Sequence, residues 1–248
     1  MIGTMTKAYK DDLAYIHDVG FGDFARTSAP WLLETLRTNG IDNGLVVDLG
    51  CGSGIWASEL LHAGYDVLGI DISSAMIETA RKRAPRGEFR LGSLLKASIP
   101  RCEAVTALGE CFNYLFDEAN NIARLRRVFE RVYYALRPGG IFIFDIAEPG
   151  RGKGVRQRHR QGKDWVALSD VHEDAETNRL TRSITTFRKR GNSYVRDEEV
   201  HMLQLYKRSE VANELRRAGF RVRTLRGYGE QTMIDGCVGF MARKPSAR

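Results

Sequence analysis

The stretch that most constrains the fold runs from Val46 to Ala57 and reads VVDLGCGSGIWA. Its β-branched apolar start is typical of a buried strand, and the residues that follow Gly54 show a helical pattern. Three glycines, Gly50, Gly52 and Gly54, stand at alternate positions between the two. Because glycine has no Cβ, a ligand can come close to the backbone there, and the first N–H groups of the helix can bind it. The stretch therefore predicts a strand, a ligand-binding turn and a helix N-terminus.

Apolar strands alternate with helical segments through most of the chain. The predicted strands are 44–48, 66–70, 88–91, 102–108, 141–146, 220–226 and 237–243. The predicted helices between them are 55–62, one from Ser73 to about 83, 120–136 with a stop at 138–140, and one from Ser209 to about 218. This alternation indicates an α/β fold: a doubly wound, mostly parallel, seven-stranded sheet with helices on both faces.

The first 43 residues predict two helices outside this alternation. One is expected near 11–18, followed by a loop. Ser28 with Pro30 two residues later is a start signal for a second helix over 31–38, and Gly40 is its stop signal.

A segment without helical periodicity interrupts the pattern after Pro149 and Gly150. Strand-like runs at 165–168, 180–187 and 194–205, with a turn at 190–192, predict an antiparallel hairpin or a three-stranded insertion. The chain thus divides into an N-terminal helical segment (1–43), a core (44–149), the insertion (150–206), and a C-terminal helix and strands that complete the core sheet (207–248).

Composition restricts the class of protein. The chain has 248 residues, of which 43% are hydrophobic, enough for one large domain. No apolar run approaches the roughly 20 residues of a membrane span, and the N-terminus has no signal-peptide pattern. Four cysteines without a C-x-x-C pair argue against a metal site and favour free thiols in a reducing compartment. We therefore expect a soluble, cytoplasmic protein without a metal.

The net charge of +7 is concentrated in one basic run, from Arg151 to Lys163, which contains six cations and no acid. Its three glycines, with Gly150 just before it, favour a solvated mobile loop, although such a run could also hold a phosphorylated or nucleic-acid substrate. No aromatic residue interrupts the run, so the stacking platform of a single-strand binder is missing.

The residues around the glycines narrow the ligand. A dinucleotide-binding turn would read G-x-G-x-x-G and a P-loop would contain Gly-Lys-Ser/Thr, and neither pattern is present. Instead, Asp48 precedes the glycines, and Asp71 ends the next strand. The D-x-G-x-G-x-G form resembles motif I of the class I S-adenosylmethionine (SAM)-dependent methyltransferases. The resemblance extends over about residues 44–147 and includes the Pro138–Gly140 turn before the fifth strand.

This resemblance implies SAM as the cofactor and a set of residues that contact it. Asp71 matches the acid that accepts both ribose hydroxyls, although it could instead help to cap the next helix. Ser93 stands where the family commonly has an acid for the adenine amino group. The segment after the fourth strand would pass the methionine portion of SAM. The implied contacts are Asp48, Gly50, Cys51, Gly52, Gly54, Asp71, Ile72, Ser93, Leu94, Gly109 and Glu110.

The resemblance also bears on the methyl acceptor. Similar nucleic-acid methyltransferases carry a Pro-Pro or Pro-Cys motif, and both are absent, whereas residues 113–115 resemble small-molecule N-methyltransferases. In resembling enzymes an N-terminal segment forms a lid and an insertion caps the strand tips. Candidate bases are Tyr15, His17, Tyr114, His201 and Glu110.

We therefore expect transfer of a methyl group from SAM to a small amine or hydroxyl by in-line displacement. An RNA methyltransferase and a non-catalytic SAM-binding module remain alternatives. The sequence leaves the oligomeric state open.

Overall fold

A seven-stranded sheet forms the centre of the molecule in the computed structural model, which describes residues 8–117, 120–154 and 157–246. In chain order the strands are β1 (Leu45–Leu49), β2 (Asp66–Asp71), β3 (Glu88–Leu91), β4 (Cys102–Ala107), β5 (Leu136–Ala147), β6 (Gln157–Gln161), β7 (Trp165–Asp174), β8 (Arg179–Arg190), β9 (Ser193–Gln204), β10 (Arg221–Leu225), β11 (Gly227–Tyr228), β12 (Gln231–Thr232) and β13 (Cys237–Arg243). The central sheet has the order β3-β2-β1-β4-β5-β13-β10. Strands β1 to β5 run parallel, β13 is antiparallel to them, and β10, antiparallel to β13, runs in the same direction as β1 to β5, which confirms the predicted mostly parallel sheet.

Helices cover both faces of this sheet, as predicted. They are α1 (Asp11–Phe21), α2 (Asp23–Thr38), α3 (Ile55–His62), α4 (Ser74–Arg83), α5 (Ile122–Ala135) and α6 (Arg208–Arg217). Side chains of β1 alternate between two apolar cores: Val47 and Leu49 pack with α5 and α6, and Val46 packs with α2, α3 and α4. None of the helices in the described residues is both long and apolar enough to cross a membrane.

The second helix begins earlier than the sequence signals indicated. α2 starts at Asp23, so the predicted loop after residue 18 is helical, and Pro30 lies inside the helix. Ser28 is a buried helical residue and not a cap. Proline removes one helical hydrogen bond, but Ala29, Leu32 and Leu36 pack into the core beside it. Tertiary packing thus outweighs the local start signal.

Two other element boundaries differ from the prediction. α6 begins after Lys207 and not at Ser209, and the Glu210 carboxylate accepts a hydrogen bond from the Lys207 N–H. β5 begins directly after α5 at Leu136, and the predicted turn at 138–140 interrupts its first residues, where Gly139 has a φ of 85°. The pairing of β5 with β4 changes register between Cys102 and Ala104, which accommodates this irregular start.

The insertion is a four-stranded antiparallel sheet, β6-β7-β8-β9, here called the inserted sheet. The prediction of a hairpin or three strands missed β6, which falls within the basic run that predicted a loop. β6 reads QRHRQ and is exposed along its whole length, so it has no apolar alternation to reveal it. It is an edge strand paired with β7. Residues 155 and 156 of the basic run lie outside the described residues.

The inserted sheet is joined to the segment that follows β4. The Leu115 N–H donates to the Met202 carbonyl (2.8 Å), and the Gln204 N–H donates to the Asn113 carbonyl (2.8 Å). The Asn113 side chain adds bonds to the backbone of Ala147 and Gln204. These bonds fix the inserted sheet at the carboxyl ends of the core strands.

Candidate active site

A cavity lies between the carboxyl ends of the core strands, the N-terminal helices and the inserted sheet. Its volume of about 580 Å³ falls within the range of ~300–1,000 Å³ that small-molecule sites occupy. Most of the residues singled out from the sequence line it. These are His17, Asp48, Gly50, Cys51, Gly52, Asp71, Ile72, Ser93, Leu94, Gly109, Glu110 and Tyr114.

The glycine turn forms one wall of the cavity. Gly50, Gly52 and Gly54 all have positive φ (75°, 52° and 76°). A Cβ on Gly52 would meet no atom within 4 Å, so this position faces open space. A Cβ on Gly54 would lie 2.9 Å from the Ala80 Cβ. Gly54 therefore allows α3 to pack closely on α4, and it is not part of the cavity lining.

Asp71 connects the turn to the next helix and faces the cavity. Its carboxylate accepts the Gly52 N–H (2.9 Å) on one oxygen and the Ser73 N–H (2.8 Å) on the other. Each oxygen keeps a further lone pair for a ligand hydroxyl. Ser73 itself caps α4 by accepting the Met76 N–H. Asp71 thus supports the local backbone and also presents two acceptors to a ligand.

We expect Asp71→Ala to weaken SAM binding by at least about tenfold, because it removes the acceptors for two ligand hydroxyls and loosens Gly52. Asp71→Asn keeps one carbonyl oxygen and should lose less. Isothermal titration calorimetry measures both, and Asp66→Ala, at the exposed start of the same strand, is the matched control. Unchanged affinity in Asp71→Ala would contradict the role given to this carboxylate.

Two further buried acids, Asp48 and Asp145, line the cavity. Asp48 accepts the Thr106 hydroxyl (2.7 Å), and burial raises the pKa of Asp48 to about 7. Asp145, at the end of β5, accepts the N–H groups of Gly109 (2.9 Å) and Glu110 (2.6 Å) and the Tyr228 hydroxyl (3.2 Å). Burial raises the pKa of Asp145 to about 6. Asp145 is the only acid in the apolar stretch from Ile141 to Ala147, a sequence signal by which this site residue could have been found.

These raised pKa values predict pH-dependent SAM binding. SAM carries a net positive charge near neutral pH, so it should bind best when Asp48 and Asp145 are ionised. We expect the affinity for SAM to rise from pH 5 to pH 8. Asp48→Asn should abolish the part of this rise that occurs near pH 7. Affinity that is constant over this range would contradict this.

The stability of the ligand-free protein should change with pH in the direction opposite to that of SAM affinity. A folded state with raised carboxyl pKa values keeps protons that the unfolded chain has lost, so these two acids should lower stability as the pH rises above about 4. Urea unfolding of the wild type and of Asp48→Asn at several pH values above 4 measures the free energy of unfolding. If the wild type loses no more stability than the variant as the pH rises, the prediction is contradicted.

Glu110 is held between two arginines. Its carboxylate accepts from the Arg151 Nε (2.6 Å) and the Arg182 Nη2 (3.2 Å), and the Cys237 thiol lies 3.3 Å away. Although burial opposes it, the charge of Arg182 and then that of Arg151 lower the pKa of Glu110 below its ordinary value. Glu110 is therefore a partner for cations and a poor proton acceptor. The burial of the Arg151 side chain in this ion pair also contradicts the prediction that the basic run is a solvated loop throughout.

Ser93 has a carboxylate beside it in the cavity wall. Its hydroxyl donates to the Asp117 carboxylate (3.0 Å), which Lys96 also approaches to 3.1 Å. Asp117 lines the cavity as well. The structure thus brings a carboxylate from the segment after β4 to the position where the sequence showed only a serine.

Apart from Glu110, the candidate bases separate into two groups. His17 and Tyr114 line the cavity, and Tyr15 and His201 do not. The Tyr15 hydroxyl donates to Asp164 (3.0 Å), and the Arg188 guanidinium lies 3.6 Å from its ring centre. The buried His201 places its Nε2 2.9 Å from Glu199. His201 packs behind the cavity-lining rings of Tyr9 and Phe116, 4.8 Å and 4.9 Å away. The selection of Tyr15 and His201 as bases stays a prediction.

Tyr9, which the sequence did not single out, lies over the cavity beside Tyr114. The two hydroxyls are 3.1 Å apart. The backbone at Tyr9 is bonded on two sides: its N–H donates to Glu199 (2.9 Å) and its carbonyl accepts the Ser73 hydroxyl (2.9 Å). The Lys10 N–H also donates to Glu199 (2.7 Å). The N-terminal segment therefore connects the end of β2 with the inserted sheet.

Comparison with known proteins adds independent findings. Residues 46–140 match the model of the family described as a methyltransferase domain. A Geobacillus sp. (strain WCH70) protein, classed by inference as a methyltransferase, is 26% identical over 192 residues, which cover 71% of this chain and 74% of that protein.

Two solved structures share the fold over nearly the whole chain. A S-adenosylmethionine-dependent methyltransferase from Clostridium acetobutylicum ATCC 824 has a TM-score of 0.80 at 17% identity, covering 95% of this chain and 98% of that one. The sugar N-methyltransferase KedS8 from Streptoalloteichus sp ATCC 53650 has a TM-score of 0.77 at 18% identity, covering 99% of each. Residues 46–140 therefore form a methyltransferase domain, and the chain as a whole shares the Rossmann-like class I fold of SAM-dependent methyltransferases.

Proposed function

We propose that this enzyme transfers the methyl group of SAM to a small-molecule amine or hydroxyl by in-line displacement. One observation carries the proposal: the same cavity reaches from the glycine turn at Gly52 to inserted-sheet residues such as Ser169 and Arg182. A donor on the turn and an acceptor beneath the inserted sheet would therefore meet in one enclosed space, and such positioning is the main requirement of the reaction. A sugar N-methyltransferase among the structural neighbours supports a small acceptor.

The residues present fit SAM. Asp71 offers two acceptors to the ribose hydroxyls, and the open space at Gly52 allows the ligand to lie against the backbone. Ile72 and Leu94 provide apolar surface for the adenine ring, and the Asp117 carboxylate beside Ser93 can accept from its amino group. The cation at the other end of SAM would lie near the buried acids. When bound, SAM supplies a methyl group already activated by its sulfonium.

The remaining chemistry falls to residues near Tyr114. Burial raises the pKa of Tyr114, so its hydroxyl stays protonated and orients the acceptor by hydrogen bonding. Burial lowers the pKa of His17 to about 4, so its imidazole is neutral at pH 7 and can accept a hydrogen bond from an amine. The rings of Tyr9, Tyr114 and Phe116 lie within 6.3 Å of one another and keep water from this part of the cavity.

We also propose functional roles for the regions outside the core, which comprises residues 44–149. Residues 1–43 act as a lid, supported by the bonds of Tyr9 to Ser73 and Glu199. Residues 150–206 act as the acceptor cap, supported by the inserted-sheet residues in the cavity wall. Residues 207–248 complete the core sheet through β10 and β13. A cytoplasmic location remains a prediction from the sequence.

Incubation with methyl-labelled SAM tests the proposal. The protein is offered RNA and a metabolite extract in separate reactions, with Asp71→Ala as the background control. We expect label in the metabolite fraction. Label in RNA would contradict the small-molecule acceptor. Label in neither fraction, together with tight SAM binding by calorimetry, would favour a non-catalytic SAM-binding module.

A further inference from the structure

The two halves of the cavity carry opposite charges. The core contributes every acid in its described lining: Asp48, Asp71, Glu110, Asp117 and Asp145. The segment from residue 151 to residue 184 contributes no acid to that lining and five cations: Arg151, Lys153, Arg158, Arg160 and Arg182. The acceptor half is therefore basic, while the half assigned to SAM is acidic.

The buried part of this basic half has an unbalanced charge. Glu110 is one negative charge between Arg151 and Arg182, whose side chains are only 8% and 18% exposed. The cluster therefore holds one net positive charge with little access to water. An uncompensated charge of this kind is costly unless a ligand neutralises it.

Arg182 also has hydrogen-bonding capacity left. Its Nη1 donates to the Tyr114 hydroxyl (3.1 Å) and its Nη2 to Glu110 (3.2 Å), and these are its hydrogen bonds within the described residues. A guanidinium has five N–H donors, so three remain. Its planar geometry suits the paired oxygens of a carboxylate or a phosphate.

The exposed cations differ in their availability. Arg160 already has partners, because its Nη2 lies 3.3 Å from a carboxylate oxygen of Asp23 and its Cζ lies 5.0 Å from the centre of the Phe21 ring. Lys153 and Arg158 form no ion pair with any residue that the structure describes. They can attract an anion at the edge of the cavity, which Arg182 then binds inside.

We infer that the methyl acceptor carries an anionic group, a carboxylate or a phosphate, which binds at Arg182 with Lys153 and Arg158 at the cavity edge. The inference rests on the proposed function, because it assigns the substrate class of the same site. Bound there, the anion neutralises the Arg151–Glu110–Arg182 cluster and lies next to the Tyr114 hydroxyl.

Matched pairs of small compounds test the inference by binding. The protein is loaded with S-adenosylhomocysteine, and its thermal shift is measured with glucosamine 6-phosphate against glucosamine and with alanine against ethylamine. We expect the anionic member of at least one pair to bind at least about tenfold more tightly than its partner. The phosphate pair and the carboxylate pair identify which anion the site prefers.

Variants then assign the preference to Arg182. Arg182→Met should abolish it and Arg182→Lys should retain part of it, because lysine keeps the charge but not the paired geometry. Arg179→Met, an exposed residue on the same strand, is the matched control. Lys153 and Arg158 are exposed, so replacing either residue with Met should leave the core intact. We expect each of these variants to bind the anionic compound about two- to threefold more weakly at low salt. They therefore test the inference even if an Arg182 variant fails to fold.

Three results would overturn the inference. The first is equal binding of charged and neutral members in both pairs. The second is an unchanged preference in Arg182→Met. The third is a loss of SAM affinity in Arg182→Met with the acceptor preference intact, which would assign the cation to the carboxylate of SAM. Labelled-SAM transfer to neutral compounds alone would refute the anionic acceptor and leave the proposed methyl transfer standing. Selective anion binding without transfer to any compound would contradict the proposed function instead.

Discussion

Replacing Gly52 with valine should abolish measurable SAM binding, with a loss of at least about a hundredfold, while the fold is retained. The Gly52 Cβ position faces open cavity space, so the valine methyl groups would occupy the volume that the ligand needs. The φ of 52° adds strain of about 1–2 kcal/mol for a residue with a side chain. No neighbouring atom is displaced, so the core should remain intact. Calorimetry with SAM and circular dichroism measure the two parts of this prediction.

Gly40 provides the matched control. It has a φ of 75°, and a Cβ there would also meet no atom within 4 Å. It lies after α2 and outside the cavity lining, so Gly40→Val should reproduce the backbone strain without blocking the ligand. Comparable loss of SAM binding in both variants would show that strain, and not occupation of the cavity, is responsible. Normal SAM binding by Gly52→Val would refute the assignment of the turn.

Glu110→Ala should be strongly destabilising, lowering the free energy of unfolding by about 3 kcal/mol or more. It leaves Arg151 and Arg182 buried next to each other without their shared carboxylate. Glu110→Gln keeps an acceptor oxygen and should cost less. Urea unfolding measures the difference. Glu88→Ala breaks an exposed pair with Arg90 and should cost no more than about 1 kcal/mol.

A double-mutant cycle separates charge from packing. Adding Arg151→Met to Glu110→Ala removes one of the two unpaired cations and should recover part of the lost stability. Because the pKa of Glu110 is lowered, its contribution is present above the unfolded-state pKa and is lost as the pH falls through the folded-state value. The difference in the free energy of unfolding between wild type and Glu110→Ala should therefore become smaller at acidic pH. A gap below about 1 kcal/mol at pH 7 would contradict a buried ion pair.

The fold followed from local patterns because each of its determinants is local. The apolar strands, the stop signals and the Gly50–Gly54 turn all lie within short windows of sequence, and they predicted the parallel sheet and its helices. Errors occurred where packing outweighed a local signal, as at Pro30 inside α2. They also occurred where a strand has no apolar face, as in the exposed edge strand β6.

The sequence by itself determined the glycine turn, the acid at the end of β2 and hence the expectation of SAM, because the residues involved are close together in the chain. Only the tertiary structure placed Asp117 beside Ser93 and Arg182 beside Glu110, pairs that are 24 and 72 residues apart. It also placed Tyr15 and His201 outside the cavity lining. Side chains on separate strands and loops meet only when the sheet order and the inserted sheet bring their elements together. For this reason the charge of the acceptor half could be derived from the folded chain and not from the basic run alone.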